Sequence, residues 1–138
     1  MRLLVDTNVL LELLLKREHF ENVFNFFYQA NIHKEQTCAT AMSFRDIGYV
    51  LNKQLHDPKK TRLIQLQAYE MISKVINTSA DAAIESIYSD VNDYEDSIQM
   101  IAAEEAMCTA IITYSKKDFE KSKLPVYTPE EMCEIWSK

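Results

Sequence analysis

The sequence predicts an α/β fold, a three-layer α/β/α sandwich around a central, mostly parallel sheet of about five short strands. Two observations carry this. Short apolar runs alternate with stretches of helical periodicity along the whole chain, as when strands are joined by helical crossovers. At the start, Leu3-Leu4-Val5 leads directly into Asp6-Thr7-Asn8 and then a further apolar run. A buried strand ending at its carboxyl edge and handing over to a helix gives this pattern. At 138 residues the chain is read as one domain over 1–138, large enough to bury about two-thirds of its unfolded surface.

The elements follow in order. Thr7 or Asn8 caps a helix running to about Leu15, apolar on most sides through Leu10, Leu11, Leu13 and Leu14. Phe20, Val23, Phe24 and Phe27 recur at i, i+3, i+4 and i+7, predicting a second helix with an aromatic face. Gln36 to Ala39 reads as the second strand, and a third helix starts at Ala41 and ends near Lys53. Asp57-Pro58 is a helix start, with Asp as cap and Pro where its missing N–H matters least; the helix extends to about Lys74. Val75-Ile76 is a short third strand, Ala80 to Tyr88 a short helix, and Asn92 to Asp96 opens another that continues to Met107. Thr109 to Thr113, rich in β-branched residues, is the fourth strand, and Lys123 to Tyr127 the fifth. Thr128-Pro129-Glu130-Glu131 is a capping box that starts the last helix.

Composition removes several function classes. The single glycine, Gly48, cannot build a G-x-G-x-x-G or P-loop phosphate cradle. His19, His33 and His56 lack metal-ligand spacing, and Cys38, Cys108 and Cys133 are scattered, odd in number and read as reduced thiols. No apolar run approaches the ~18 residues of a membrane span, so no membrane partner is expected and the expected location is the cytosol. The net charge of −6 argues against holding nucleic acid by a broad basic face. A contact bridged by metal ions remains open, and four acids gathered in one metal site would leave the rest of the chain near neutrality.

Acids stand at the start of helices or just beyond strands in four regions: Asp6, Asp46, Asp93 with Asp96, and Asp118. Each has a plainer reading. Asp6 can cap the first helix, Asp46 can be a solvated helix residue, and Asp93 is a natural N-cap. Asp96 lies where a capping box puts its acid, and Lys116-Lys117-Asp118 can be a charged loop. Their combination says more, because the strand ends and helix starts that carry them would share one edge of the sheet. Carboxylates converging there repel one another unless divalent cations neutralise them. Mg²⁺ or Mn²⁺ takes oxygen ligands, and two such ions about 4 Å apart can stabilise the attacking and leaving oxygens of a phosphodiester displacement. Thr113 and Ser115 are placed to orient a carboxylate or close the turn after the fourth strand, and Asn8 lies two residues beyond Asp6.

At these residues the chain resembles a known family. Leu4-Val5-Asp6-Thr7-Asn8-Val9-Leu10 resembles the opening of the PIN-domain ribonucleases. Thr40 to Tyr49, around Asp46, is similar to their second motif, and Asp93-Tyr94-Glu95-Asp96-Ser97-Ile98-Gln99 with Ala102-Ala103 resembles the third. Ile111 to Phe119, followed by Leu124 to Glu131, resembles the fourth motif and the closing strand and helix. Two positions depart from the pattern: Asp46 stands where glutamate is usual, and Ser115 where asparagine or aspartate is usual.

The resemblance implies metal-dependent cleavage of an RNA substrate with Mg²⁺ or Mn²⁺, often by the toxin of a toxin–antitoxin pair of the VapC type. Asp6, Asp96 and Asp118 would be metal ligands, Asp46 a further catalytic acid, and Asn8, Asp93, Thr113 and Ser115 their supports. An antitoxin protein and a homodimer, built on the helices over Phe20 to Tyr28 and after Pro58, are the expected protein partners. Two other readings compete: a PIN-like binding module without activity, motivated by Asp46 and Ser115, and a phosphoaspartyl phosphatase or receiver with Asp6 as acceptor. The last is weakened because the phosphatase pattern needs an acid at position 8, which is Asn8.

Overall fold

The computed structural model describes residues 1–138. The elements are β1 (Arg2–Val5), α1 (Thr7–Leu14), α2 (Phe20–Ile32), β2 (Gln36–Thr40), α3 (Ala41–Leu55), α4 (Pro58–Met71) and β3 (Lys74–Ile76). They continue with α5 (Ala80–Ile87), α6 (Tyr94–Glu105), β4 (Ala110–Ile112), a 3₁₀ turn (Lys116–Phe119), β5 (Val126–Tyr127) and α7 (Pro129–Trp136). The five strands form one sheet in the order β3-β2-β1-β4-β5. Every pairing is parallel, with Leu4 opposite both Cys38 and Ile111.

Residue pattern explains the layers. Leu3, Leu4 and Val5 are all fully buried, as expected of a central parallel strand covered on both faces. Side chains alternate, so Leu3 and Val5 enter a core with Val9, Leu10, Phe26, Ile47, Leu51 and Met132. Leu4 enters a smaller core on the other face with Cys38, Met100, Ala103, Ile111 and Phe119. Helices α1, α2, α3, α4 and α7 therefore cover one side, and α6, with α5 packed on it, covers the other. At about 1.5–3 kcal/mol per buried apolar side chain, β1 is firmly anchored, and Asp6 follows it directly. No helix is long and apolar enough to cross a membrane.

Several boundaries and one face differ from expectation. The buried stripe of α2 is Val23, Phe26 and Ala30, and Phe24 is 60% exposed. Phe26 stacks on Trp136 of α7 with centroids 5.6 Å apart; Val23 of the expected face is buried, Phe20 and Phe27 pack partly buried against the core, and only Phe24 turns outward. Helix α3 runs past Lys53 to Leu55 and is closed by His56 in the left-handed conformation. Helix α4 stops at Met71 rather than Lys74, because Ser73 N–H donates to Thr37 O at 2.9 Å and the chain joins β2. Strand β5 is shortened to Val126–Tyr127, since Ser122 forms a side-chain turn with Leu124 ahead of it.

Gly48, the only glycine, sits in α3 where α4 crosses closely. Gln65 Nε2 of α4 donates to Phe44 O at 2.9 Å, and a Cβ at position 48 would lie 2.6 Å from that same nitrogen.

Candidate active site

The strand order reverses at β1: β2 and β3 lie to one side, β4 and β5 to the other. In open α/β sheets the crevice at such a reversal, beyond the carboxyl ends of the strands, is where ligands bind. Asp6 ends β1 and Thr113 follows β4 at this point. Asp6 N–H continues the ladder by donating to Ile112 O at 2.9 Å.

Asp6 caps α1, its Oδ1 accepting from Thr7 N–H at 2.8 Å. Capping is only part of its role in the structure. Its Oδ2 accepts from Thr113 Oγ1 at 2.8 Å, and Gln99 Nε2 donates to Oδ1 at 3.4 Å. Asp6 is 6% exposed, and this burial raises its pKa despite the hydrogen bonds from Thr113, Gln99 and Thr7, which pull the other way.

A cleft of about 260 Å³ opens beside it. Asp6 and Asn8 form its floor, Asp46 of α3 one wall, Glu95 and Asp96 of α6 another, with Ser115 and Gln99 also lining it. Three larger hollows, of about 330, 440 and 470 Å³, lie elsewhere, with Glu18, Glu21 and Glu105 as the acids that line them. Size does not mark the site; carboxylates gathered with no lysine or arginine among the lining residues do. Asp96 feels this most. Burial first, then the charges of Asp93, Asp6, Asp118 and Glu95, push its pKa up from 3.8 to about 7. Glu95 is also raised, by burial and by Asp46 and Asp93, with Arg45 opposing.

The supports are placed as follows. Asn8 Nδ2 donates to Ser115 Oγ at 2.9 Å and to Thr113 Oγ1 at 3.3 Å, and its Oδ1 accepts from Tyr114 N–H at 3.4 Å. Thr113 Oγ1 also accepts from Ser115 N–H at 3.0 Å. Asp93 caps α6 by accepting from Asp96 N–H at 3.1 Å. Asp46 pairs with Arg45 at 3.1 Å, the arginine side chain lying 74% exposed at the rim. Asp118 stands apart. Its turn is anchored by fully buried Phe119, and it lines a separate recess of about 120 Å³ with the acids Asp90, Asp93 and Glu120 and the cations Lys117 and Lys121. No group of three or more His, Cys, Asp or Glu side chains is close enough together, as the side chains stand, to hold a metal ion.

Sequence reasoning missed Glu95, Gln99, Ser43 and Thr40. Gln99 is 2% exposed and Thr40 and Ser43 are fully buried, yet all are polar. Their spacing offered a signal: Gln99 lies three residues after Asp96, and Asp46 three after Ser43, so each pair shares a helix face.

With this geometry in place, the chain was compared with known proteins. The family model described as PIN domain matches residues 2–117. The chain belongs to the PIN domain family. Comparison with curated protein sequences gave no match. Among solved structures, this PIN chain is similar to one in VapBC2 from Rickettsia felis bound to a DNA fragment from their promoter. The TM-score is 0.68 at 14% identity, covering 91% of this chain and 97% of that one. It is also similar to a chain in a toxin–antitoxin complex from Klebsiella pneumoniae, with a TM-score of 0.62 at 23% identity, covering 93% and 98% respectively. At such identities the likenesses speak to the fold. The five-stranded parallel sheet with helices on both faces is thus a PIN fold in both topology and family.

Proposed function

We propose that this PIN domain is a divalent-metal-dependent endoribonuclease, acting as the toxin of a toxin–antitoxin pair. The carrying observation is the meeting of Asp6, Asp46, Glu95 and Asp96 in one cleft at the sheet's switch point, with the Asp96 pKa raised to about 7 by burial and then by neighbouring charges. The donor set suits Mg²⁺ or Mn²⁺: it consists of carboxylates, without sulfur or imidazole, and it is short of positive charge. No three of these acids converge on one point as they stand, and Mg²⁺ is commonly held by one or two carboxylates with waters completing its shell.

Asp6, Asp46 and Asp96 would hold the ion, with Glu95 beside them. Asp118 contributes charge from the adjoining recess. When bound, the ion would neutralise the carboxylates and polarise the scissile phosphodiester. Asp6 is the fixed member of the set, since Thr7, Thr113 and Gln99 hold both of its oxygens. Arg45, exposed beside Asp46, offers a cation to a phosphate oxygen at the mouth of the cleft. The toxin role is supported by the two similar folds, both solved within toxin–antitoxin assemblies. Homodimerisation is supported by exposed apolar residues on the two helices expected to carry it: Phe24 and Tyr28 on α2, and Leu63, Leu66 and Tyr69 on α4.

The test is cleavage of labelled RNA with Mn²⁺ by the wild type, Asp6→Asn and Asp96→Asn, each purified identically. Both variants are expected to lose activity with their folds intact; undiminished cleavage by both rejects the reading. A binding module without activity is the second reading, favoured by the separation of Asp118 from the cleft and the lack of three convergent acids. Calorimetric titration with Mn²⁺ separates the two, since no detectable heat supports the module.

A further inference from the structure

Gln99 enters the nuclease reading only as one of three partners of Asp6, yet both ends of its buried side-chain amide are engaged. It is 2% exposed and lies on α6, reaching toward the start of α3 and the end of β1. Its orientation is set by Thr40, whose Oγ1 donates to Gln99 Oε1 at 2.7 Å. Thr40 Oγ1 at the same time accepts from Ser43 N–H at 3.1 Å as the cap of α3, which fixes the hydroxyl itself. With Oε1 committed to Thr40, Nε2 must face the other way. There it donates to Ser43 Oγ at 3.2 Å and to Asp6 Oδ1 at 3.4 Å. Ser43 Oγ closes the circuit with Thr7 Oγ1 at 2.7 Å. One carboxamide therefore joins α6, the N-terminus of α3 and the β1–α1 corner.

The acids of the cleft hang from this brace. Asp96 is three residues before Gln99 on α6, and Asp46 three residues after Ser43 on α3, so each lies one turn from the joint on its own helix. A neutral side chain thus bridges the two helices that carry the acidic walls and, at 3.4 Å, reaches the Asp6 carboxylate that Thr7 and Thr113 also hold. A buried amide with these partners is costly to assemble for packing alone, because an apolar residue of the same shape would fill the space without needing them.

We propose that Gln99 is a positioning residue for the divalent ion. It sets the spacing of Asp46 and Asp96 across the cleft and the direction of Asp6, with Thr40 fixing the amide's orientation. This rests on the metal-dependent nuclease reading.

The test uses the full chain and Mn²⁺ alone. Gln99→Met keeps the length and apolar volume but removes the amide, and Thr40→Val keeps Gln99 but removes the hydroxyl that orients it. Calorimetry is expected to show Mn²⁺ affinity reduced roughly 10–100-fold by Gln99→Met, the scale of lost supports to metal ligands. Thr40→Val should act in the same direction, and the double variant should be no weaker than Gln99→Met, since both changes disable one device. Thermal melts accompany each titration; should Gln99→Met fail to fold, Thr40→Val carries the comparison. A second readout is the Gln99 side-chain amide resonance, assigned by its loss in Gln99→Met, which is expected to shift on addition of Mg²⁺. Undiminished Mn²⁺ affinity in folded variants overturns this proposal alone. Absence of binding by the wild type overturns the metal-site reading and this proposal with it.

Discussion

Thr113 Oγ1 donates to Asp6 Oδ2 at 2.8 Å, joining two residues 107 positions apart at the ends of adjacent central strands. The same hydroxyl oxygen accepts from Ser115 N–H, so Thr113 ties the carboxylate, the strand end and the following turn together. Thr113 is fully buried. The bond supplies part of what an anion needs to remain charged at this depth.

Thr113→Val keeps the shape and removes the hydroxyl. Asp6 then loses a donor, and Ser115 N–H and Asn8 Nδ2 each lose an acceptor. A loss of about 1–3 kcal/mol in folding stability is expected, read by urea unfolding at pH 8. Thr113→Ser, which retains the hydroxyl and gives up only a methyl group, should lose no more than about 1 kcal/mol. A Thr113→Val variant as stable as the wild type would show that the hydroxyl contributes nothing.

Asp96 makes stability depend on pH in a defined direction. Its pKa is raised from 3.8 to about 7, first by burial and then by Asp93, Asp6, Asp118 and Glu95. Between these values the folded chain holds a proton that the unfolded chain has released, so stability falls as pH rises through the window. The contribution is fully present below pH 3.8 and lost by pH values above about 7. Asp96→Asn removes the charge, and thermal melts without added metal should then decline less between pH 4 and pH 8 than those of the wild type. Asp6 and Glu95, raised in the same direction, leave a residual slope. An unchanged profile in Asp96→Asn would remove Asp96 as its source.

Gly48 and Gln65 are coupled across α3 and α4. Alanine is favoured over glycine within a helix by about 1 kcal/mol. Here its Cβ would meet Gln65 Nε2 at 2.6 Å, forcing that flexible side chain to swing away and release Phe44 O. The two effects oppose each other. Gly48→Ala alone should change stability by less than about 1 kcal/mol, whereas in a Gln65→Ala background it should stabilise by about that amount. Strict additivity in urea unfolding would contradict the contact.

What could be read from sequence divides along physical lines. Asp6 is legible because a buried parallel strand leaves an unmistakable apolar run, and an acid at its end is conspicuous. The capping box at Thr128 and Glu131 and the Asp57 cap are equally local, needing only neighbouring residues, and both form. The face of α2 is not local. Phe20, Val23, Phe24 and Phe27 share helical spacing with Val23, Phe26, Phe27 and Ala30, and only the stacking of Phe26 on Trp136 chooses between them. Gln99 is only faintly legible, through its spacing from Asp96, for a related reason. A neutral amide has no pattern of charge, and its meaning depends on Thr40, Ser43 and Asp6 arriving from three other elements.

Asp118 is the most informative case. Counting residues beyond β4 brings it to the same sheet edge as Asp6, but Phe119 buries itself in the α6-side core and directs the 3₁₀ turn. Asp118 consequently enters the recess with Asp93, Lys117 and Lys121 rather than the cleft. Its influence on Asp96 is then electrostatic, exerted partly through solvent and next to two lysines. Asp118→Asn should weaken Mn²⁺ binding by no more than about fivefold, the equivalent of about 1 kcal/mol for a screened charge pair. Asp96→Asn, removing an acid from the cleft itself, should weaken it far more. Calorimetry on both variants at one pH decides the matter: equal losses would mean that the turn rearranges to bring Asp118 onto the ion, and that four acids rather than three close around it.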